Sequence, residues 1–294
     1  NDTVQRSSPV QVPGNYQYVS YGPASNTAIK SDGSLWTWGE GAAGILGQNN
    51  NISRSSPTQL GTDNNWKSLQ WGNACCWGLK NDNTLWAWGS NPDGQFGSGN
   101  VTQRSSPIQI SGIWSELQKG GTGSMAALKS DGSLWRWGAN NNGELGDNSR
   151  VYRSSPIQLP GTWNSMAGGN GVMAAVNTDG ELWSMGRNFA GVLGQNQTGG
   201  TIRYSSPVQI GTGTDWSTVH MTGYFGGAIK TDGTLWTWGG NEYGQLGLRT
   251  RNIPEDNGYS SPTQVPGAWS KLNSYNNGFV ASKGDGSLWI WGGA

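Results

Sequence analysis

The stretch Ser31–Gly39, SDGSLWTWG, sets two tryptophans two residues apart directly behind an Asp-Gly turn. Its core, LWxWG, returns at Leu35, Leu85, Leu134, Leu182, Leu235 and Leu288, with Met185 replacing the second Trp in the fourth copy. A second motif, SSPxQ, begins at Ser7, Ser55, Ser105, Ser154, Ser205 and Ser260, always between copies of the first. A period of roughly 50 residues marks a supersecondary unit that stacks on copies of itself, so the repeat decides the fold.

Each unit reads as four short strands. SSPxQ and the apolar residue after it alternate polar with apolar, and Pro9, Pro57, Pro107, Pro156, Pro207 and Pro262 mark strand entries, where no ladder donor is needed. The next strand pairs an aromatic with an apolar residue three further on, as in Trp66/Leu69 and Trp216/Val219. The third is the segment MAALK and its counterparts. It ends at Asp32-Gly33, Asp82-Asn83, Asp131-Gly132, Asp179-Gly180, Asp232-Gly233 and Asp285-Gly286, read as two-residue hairpin turns. LWxWG then runs back antiparallel as the fourth strand.

Side chains alternate faces along a strand, so Trp36 and Trp38 point one way and Leu35 and Thr37 the other. Both faces are therefore expected to be covered by neighbouring sheets. Sixteen of the 18 Trp hold repeat positions, which lets a chain of only 33% hydrophobic residues build a core. Four-stranded units stacked radially make a β-propeller, and a ring lets SSPVQV at Ser7–Val12 pair beside Leu288–Gly292 to close one blade. The expected architecture is one all-β domain over residues 1–294: six four-stranded blades closed by the two chain ends, with seven blades as the alternative.

Composition narrows the partners. Lys plus Arg equals Asp plus Glu at 18 each, and charged residues make up 12%, so no net field gathers phosphates and nucleic acid is not an expected partner. No run of 18 apolar residues offers a spanning helix, so no membrane insertion is expected. Cys75 and Cys76 are adjacent and define no disulfide framework. Asn1 in place of an initiator Met leads us to expect a processed chain or a piece of a longer one.

The string DGxLWxWGxNxxGxLG, seen as DGSLWRWGANNNGELG at Asp131–Gly146 and DGTLWTWGGNEYGQLG at Asp232–Gly247, resembles the regulator of chromosome condensation repeat family along essentially the whole chain. The resemblance implies a β-propeller, most often of seven blades, so six copies are a departure. Where that family often carries a His, this chain has Ser25, Cys75, Ser124, Val172, Phe225 and Gly278. The founding member is a guanine-nucleotide exchange factor that contacts chromatin, and a plant ultraviolet-B photoreceptor uses clustered Trp with Arg. Neither signature is recognisable here. Secreted bacterial propellers of the type bind enzymes through a loop face, which shows the fold serving as a plain binding scaffold.

Candidate sites are weighed against packing. His220 is the single His, and no nucleophile with its base, metal cluster or cofactor motif assembles around it, so no catalytic, metal or cofactor residue is assigned. The hairpin Asp set is explained by its turns. Arg6, Arg54, Arg104, Arg153 and Arg203 precede SSP and form a candidate basic ring, with stacking on indoles as the structural alternative. The connection from LWxWG to SSPxQ lengthens in the last two units, within Gln195–Tyr204 and Leu248–Tyr259. Arg249, Arg251, Glu255, Asp256 and Tyr259 in the second insertion suit protein contact. Trp71 and Trp77, the two Trp outside the repeat, are a candidate exposed anchor or a locally repacked blade.

These residues predict a non-enzymatic propeller that binds another macromolecule through one loop face, or serves as a structural part of a larger assembly. The partner is another protein or a surface glycan. The alternatives are a regulatory propeller of the exchange-factor or photosensor type, and a carbohydrate-binding propeller. The Asn/Gly/Ser/Thr-rich surface suits an extracellular, cell-surface or virion setting.

Overall fold

The protein is described from a computed structural model, which covers residues 11–22, 24–72, 74–121, 123–250 and 258–293. Among them lie 23 strands, two single-turn 3-10 helices at Ala42–Gly44 and Phe189–Gly191, and no α-helix. The first sheet takes β1 (Tyr16–Tyr21), β2 (Ser25–Lys30), β3 (Leu35–Gly39) and β4 (Arg54–Gln59) in that order. The second takes β5 (Trp66–Trp71), β6 (Cys75–Lys80), β7 (Leu85–Gly89) and β8 (Arg104–Ile110). The third takes β9 (Glu116–Lys119), β10 (Ser124–Leu128), β11 (Leu134–Gly138) and β12 (Arg153–Leu159). The fourth takes β13 (Trp163–Gly169), β14 (Val172–Asn177), β15 (Leu182–Arg187) and β16 (Arg203–Gln209). The fifth takes β17 (Trp216–Met221), β18 (Phe225–Lys230), β19 (Thr234–Gly239) and β20 (Tyr259–Ala268). The sixth takes β21 (Lys271–Tyr275), β22 (Gly278–Ser282) and β23 (Leu288–Gly292).

This is the all-β, six-bladed propeller fold that the repeat predicts. Ser7–Val12, the expected fourth strand of the last blade, lies for its greater part outside the described residues. Among the described residues β23 is therefore an edge, with Leu288 and Ile290 exposed. Backbone proximity groups the chain into two compact units, residues 1–117 with 153–156 and residues 118–152 with 157–294.

Two details differ from the sequence reading. SSPxQ pairs with the LWxWG before it, as in Trp36 opposite Gln59 and Trp236 opposite Gln264, so sheet and sequence unit are offset by one strand. The hairpins have three-residue rather than two-residue loops. Lys30 N–H donates to Ser34 O and Gly33 N–H to Lys30 O, with the positive φ (82°) on Gly33. A type I turn followed by one left-handed residue needs only that single glycine, and Asn83 (φ 65°) takes the position in the second sheet.

Packing follows the alternation of faces. Within the first unit, Ile29, Leu35, Leu46 and Leu60 of the first blade bury against Trp66, Leu69, Trp71 and Trp88 of the second. Within the second unit, Val172, Leu182, Leu193 and Ile210 bury against Trp216, Val219, Ala228 and Trp238. The second Trp of LWxWG also reaches back to the neighbouring blade. Trp88 Nε1 donates to Ile45 O and Trp238 Nε1 to Val192 O, each at 2.8 Å.

Candidate functional site

The repeat explains several residues that sequence alone leaves open. Asp32 Oδ1 accepts from the Ser34 amide (2.9 Å) and hydroxyl (2.6 Å), and Ser34 Oγ in turn accepts from Trp36 Nε1 at 2.9 Å. The same relay joins Asp82–Thr84–Trp86, Asp131–Ser133–Trp135, Asp232–Thr234–Trp236 and Asp285–Ser287–Trp289. The hydroxyl and amide donors hold the Asp32 carboxyl below the usual carboxylate range. In the fourth blade Glu181 replaces the hydroxyl residue and accepts directly from Trp183 Nε1.

At the other end of the sheets a buried Asn orders the long connection in the second to fifth blades, where the first blade has Gly41. Asn241 Oδ1 accepts from Leu246 N–H while its Nδ2 donates to Thr250 O, each at 3.0 Å. Asn91, Asn140 and Asn188 do the same for their connections. Fully buried amides with both ends bonded make these loops rigid platforms.

The sequence candidates fall into three groups. Trp71 and Trp77 are 4% and 1% exposed, so they are not surface anchors. Trp71 Nε1 bonds Thr27 Oγ1 at 2.9 Å and Trp77 Nε1 bonds Gln95 O at 3.0 Å, the locally repacked blade of the alternative reading. Cys75 and Cys76 are free and buried beside them, and burial pushes both thiols up. Arg54 and Arg104 stand opposite Gly39 and Gly89, but the corresponding place opposite Gly186 belongs to Tyr204, with Arg203 one residue earlier. Arg203 bonds Asn142 Oδ1 at 3.1 Å and Thr201 O at 3.2 Å, and so is committed to local structure. Arg153 opens β12, and Arg6 lies outside the described residues. In the second insertion Arg249 is exposed at φ 59°. Tyr259 packs on the core of the fifth and sixth sheets and shares a 3.2 Å hydrogen bond with Thr250. Arg251, Glu255 and Asp256 lie outside the described residues.

Within the second unit lies a cleft that the sequence reading missed, with described residues of both insertions adjoining its wall. It encloses about 210 Å3 and is walled by Phe189, Tyr224, Tyr243 and Glu242, with Asn276 and Asn277 opposite. Phe189 and Tyr224 meet edge to face at 5.5 Å, and the Arg187 guanidinium lies 5.5 and 5.6 Å from their ring centres. Tyr224 and Tyr243 are 44% and 52% exposed, high for side chains of that size. Gly200 of the first insertion abuts Phe189, and Gly258 of the second sits where any Cβ would meet the carbonyls of Ala190 and Gly239. Asn241 lines the cleft and binds Thr250, tying the second insertion to it. The cleft draws on four distant segments, so its sequence signal is the presence of aromatics outside the repeat positions.

His220 is half-buried in β17, where desolvation lowers its pKa to about 4. Among the described residues no group of three or more His, Cys, Asp or Glu is placed to share a metal ion.

The family model for the regulator of chromosome condensation (RCC1) repeat matches residues 32–81, 131–176 and 232–273. Among solved structures, yeast RCC1 (Prp20) bound to Kap60 is similar over 93% of this chain and 69% of that one, at 18% identity and a TM-score of 0.76. Human WBSCR16 is similar over 87% and 68%, at 21% identity and 0.70. Prp20p from Saccharomyces cerevisiae, studied with Gsp1p and histones, is similar over 88% and 66%, at 19% and 0.70. These likenesses show the propeller fold. No curated protein matches the chain in sequence.

Proposed function

From a chain built of RCC1-type repeats, we propose a non-enzymatic binding propeller that engages a protein partner at the Phe189–Tyr224–Tyr243 cleft and the insertions beside it. The observation that carries the reading is the exposure of two tyrosines at a cleft whose wall adjoins Gly200 of one insertion and Gly258 of the other. Interfaces concentrate their energy in aromatic and Arg anchors set in a rigid surround, and this cleft offers Tyr, Phe and Arg187 on loops fixed by buried Asn. The partners named with the similar Prp20 structures, Kap60, Gsp1p and histones, are proteins, which supports a protein as the partner class. The second insertion encodes both charge signs, in Arg249, Arg251, Glu255 and Asp256.

The test is capture from the native source on the immobilised protein and on a Tyr224→Ala/Tyr243→Ala variant. A protein retained by the parent and lost from a variant that melts normally supports the reading. Equal capture by both moves the binding face elsewhere.

A further inference from the structure

The repeat builds a second kind of groove at the hairpin end of its blades, and one copy differs from the rest. In the second blade Lys80, opposite Trp66 in the strand register, lies 4.9 Å from the Trp66 ring centre and 4.2 Å from that of Trp86, and pairs with Asp63 at 2.7 Å. In the fifth blade Lys230 lies 4.8 and 5.1 Å from Trp216 and Trp236 and pairs with Asp215. Lys283 lies 5.0 and 4.2 Å from Trp269 and Trp289, and Lys30 and Lys129 stack on Trp36 and Trp135. An ammonium over indole faces is attracted by the ring quadrupole, so each of these blades carries its own cation.

The fourth blade has the rings without the cation. Asn177 stands opposite Trp163 in the lysine's register, and its amide turns to Glu181 at 2.7 Å. Thr162 stands where Asp215 precedes Trp216, and its hydroxyl bonds Thr178, while the connection before Trp163 is two residues shorter than the one that carries Asp63 and holds no acid. With Glu181 at the Ser/Thr position, Asp179 has no hydroxyl two residues on to hold its carboxylate, and it lines the groove instead. The space above Trp163 and Trp183 is about 690 Å3, against about 370 Å3 at Trp66 and Trp86. Arg136 is buried near Gly146, with its Nη1 on Met185 Sδ and its charge balanced by Asp147 at the groove's edge.

We propose that the Trp163–Trp183 groove of the fourth blade receives the lysine side chain of a protein partner, the ammonium lying over the indoles with Asp179 as its counter-charge. The other blades show the occupant, because the same pair of rings closes over a lysine of this chain in the second, fifth and sixth blades. The inference rests on the reading of the chain as a protein-binding propeller, but it concerns a different surface from the tyrosine cleft.

The experiment titrates the protein with Nα-acetyl-lysine methylamide and follows the assigned indole N–H resonances of Trp163 and Trp183. The neutral isostere Nα-acetyl-norleucine methylamide and methyl glucoside serve as controls. The expected result is a saturating shift at Trp183 with lysine, at least fivefold weaker with norleucine and absent with the sugar. Asn177→Lys, which restores the chain's own cation, should weaken the response at least tenfold. Asn177→Ala should keep it, and Asp179→Asn should reduce it. Equal response to lysine and norleucine, response to the sugar alone, or full response in folded Asn177→Lys overturns the proposal. Loss of the lysine response while capture through Tyr224 and Tyr243 persists would remove this groove and leave the proposed function standing.

Discussion

The second and fourth blades start from one repeat and end in different surfaces. In the second, Trp66, Lys80, Trp86 and Asp63 satisfy one another and leave a narrow groove. In the fourth, Asn177 stands in the lysine's place, the shorter connection before Trp163 carries no acid, Met185 replaces the second Trp, and a wider groove lined by Asp179 remains. The strand register is the same in both, so the difference lies in the side chains and in the shorter connection before Trp163. The comparison separates two duties: positions that obey the repeat are consumed by packing, and positions that leave it make surface available to a partner.

The largest expected effect breaks the first duty. Trp238 is fully buried against the fourth blade and bonded to Val192 O, so Trp238→Ala should cost about 3–5 kcal/mol of stability, read by denaturant unfolding. Any loss of binding should follow the unfolded fraction. The second effect addresses the other duty. Replacing Arg249, Arg251, Glu255 and Asp256 together by Ser should weaken the captured partner by about 1 kcal/mol or more while shifting stability by less than about 0.5 kcal/mol.

His220 offers an effect of similar size on stability through pH. Its folded pKa of about 4 lies below the ordinary 6.5, so the unfolded chain takes up the proton first. Stability is fully present above about pH 6.5 and is lost progressively as pH falls towards 4. Comparing unfolding at pH 7 and pH 4.5, His220→Gln should show a smaller loss than the parent. The smallest effect sharpens the opening comparison: Asn177→Lys should stabilise the fourth blade by about 0.5–1 kcal/mol, the worth of a cation over an exposed indole, read as a raised melting temperature.

The repeat made the fold legible because its chemistry is local and recurs. Asp-Gly and the alternating Trp each report a backbone requirement in place, and six copies remove the ambiguity of one. Pro57 and its described counterparts instead fall in mid-strand, beside a register shift in the first sheet, and not at the strand entry expected of them. The offset of SSPxQ into the preceding sheet was implicit in the expected end-to-end pairing, whereas the three-residue hairpin depended on hydrogen bonds that Asp-Gly alone does not determine. The candidate site was harder to read. Trp71 and Trp77 looked like anchors because they fall outside the repeat, yet each found a neighbour's oxygen inside the core. Phe189, Tyr224 and Tyr243 are drawn from two blades and become neighbours only through folding. The insertions stand beside the proposed site, and a loop longer than its siblings has residues that closure does not require.

The central claim, that departures from the repeat bind and the repeat itself stabilises, is tested most directly by one paired measurement on two variants. Thermal melts and equilibrium capture of the same native partner are recorded for Tyr224→Ala/Tyr243→Ala and for Trp238→Ala. The account predicts that the tyrosine variant melts like the parent and loses at least tenfold in affinity, while the tryptophan variant melts early and its remaining folded fraction binds normally. A tyrosine variant that binds as tightly as the parent, or a folded Trp238→Ala protein that has lost its affinity, would contradict it.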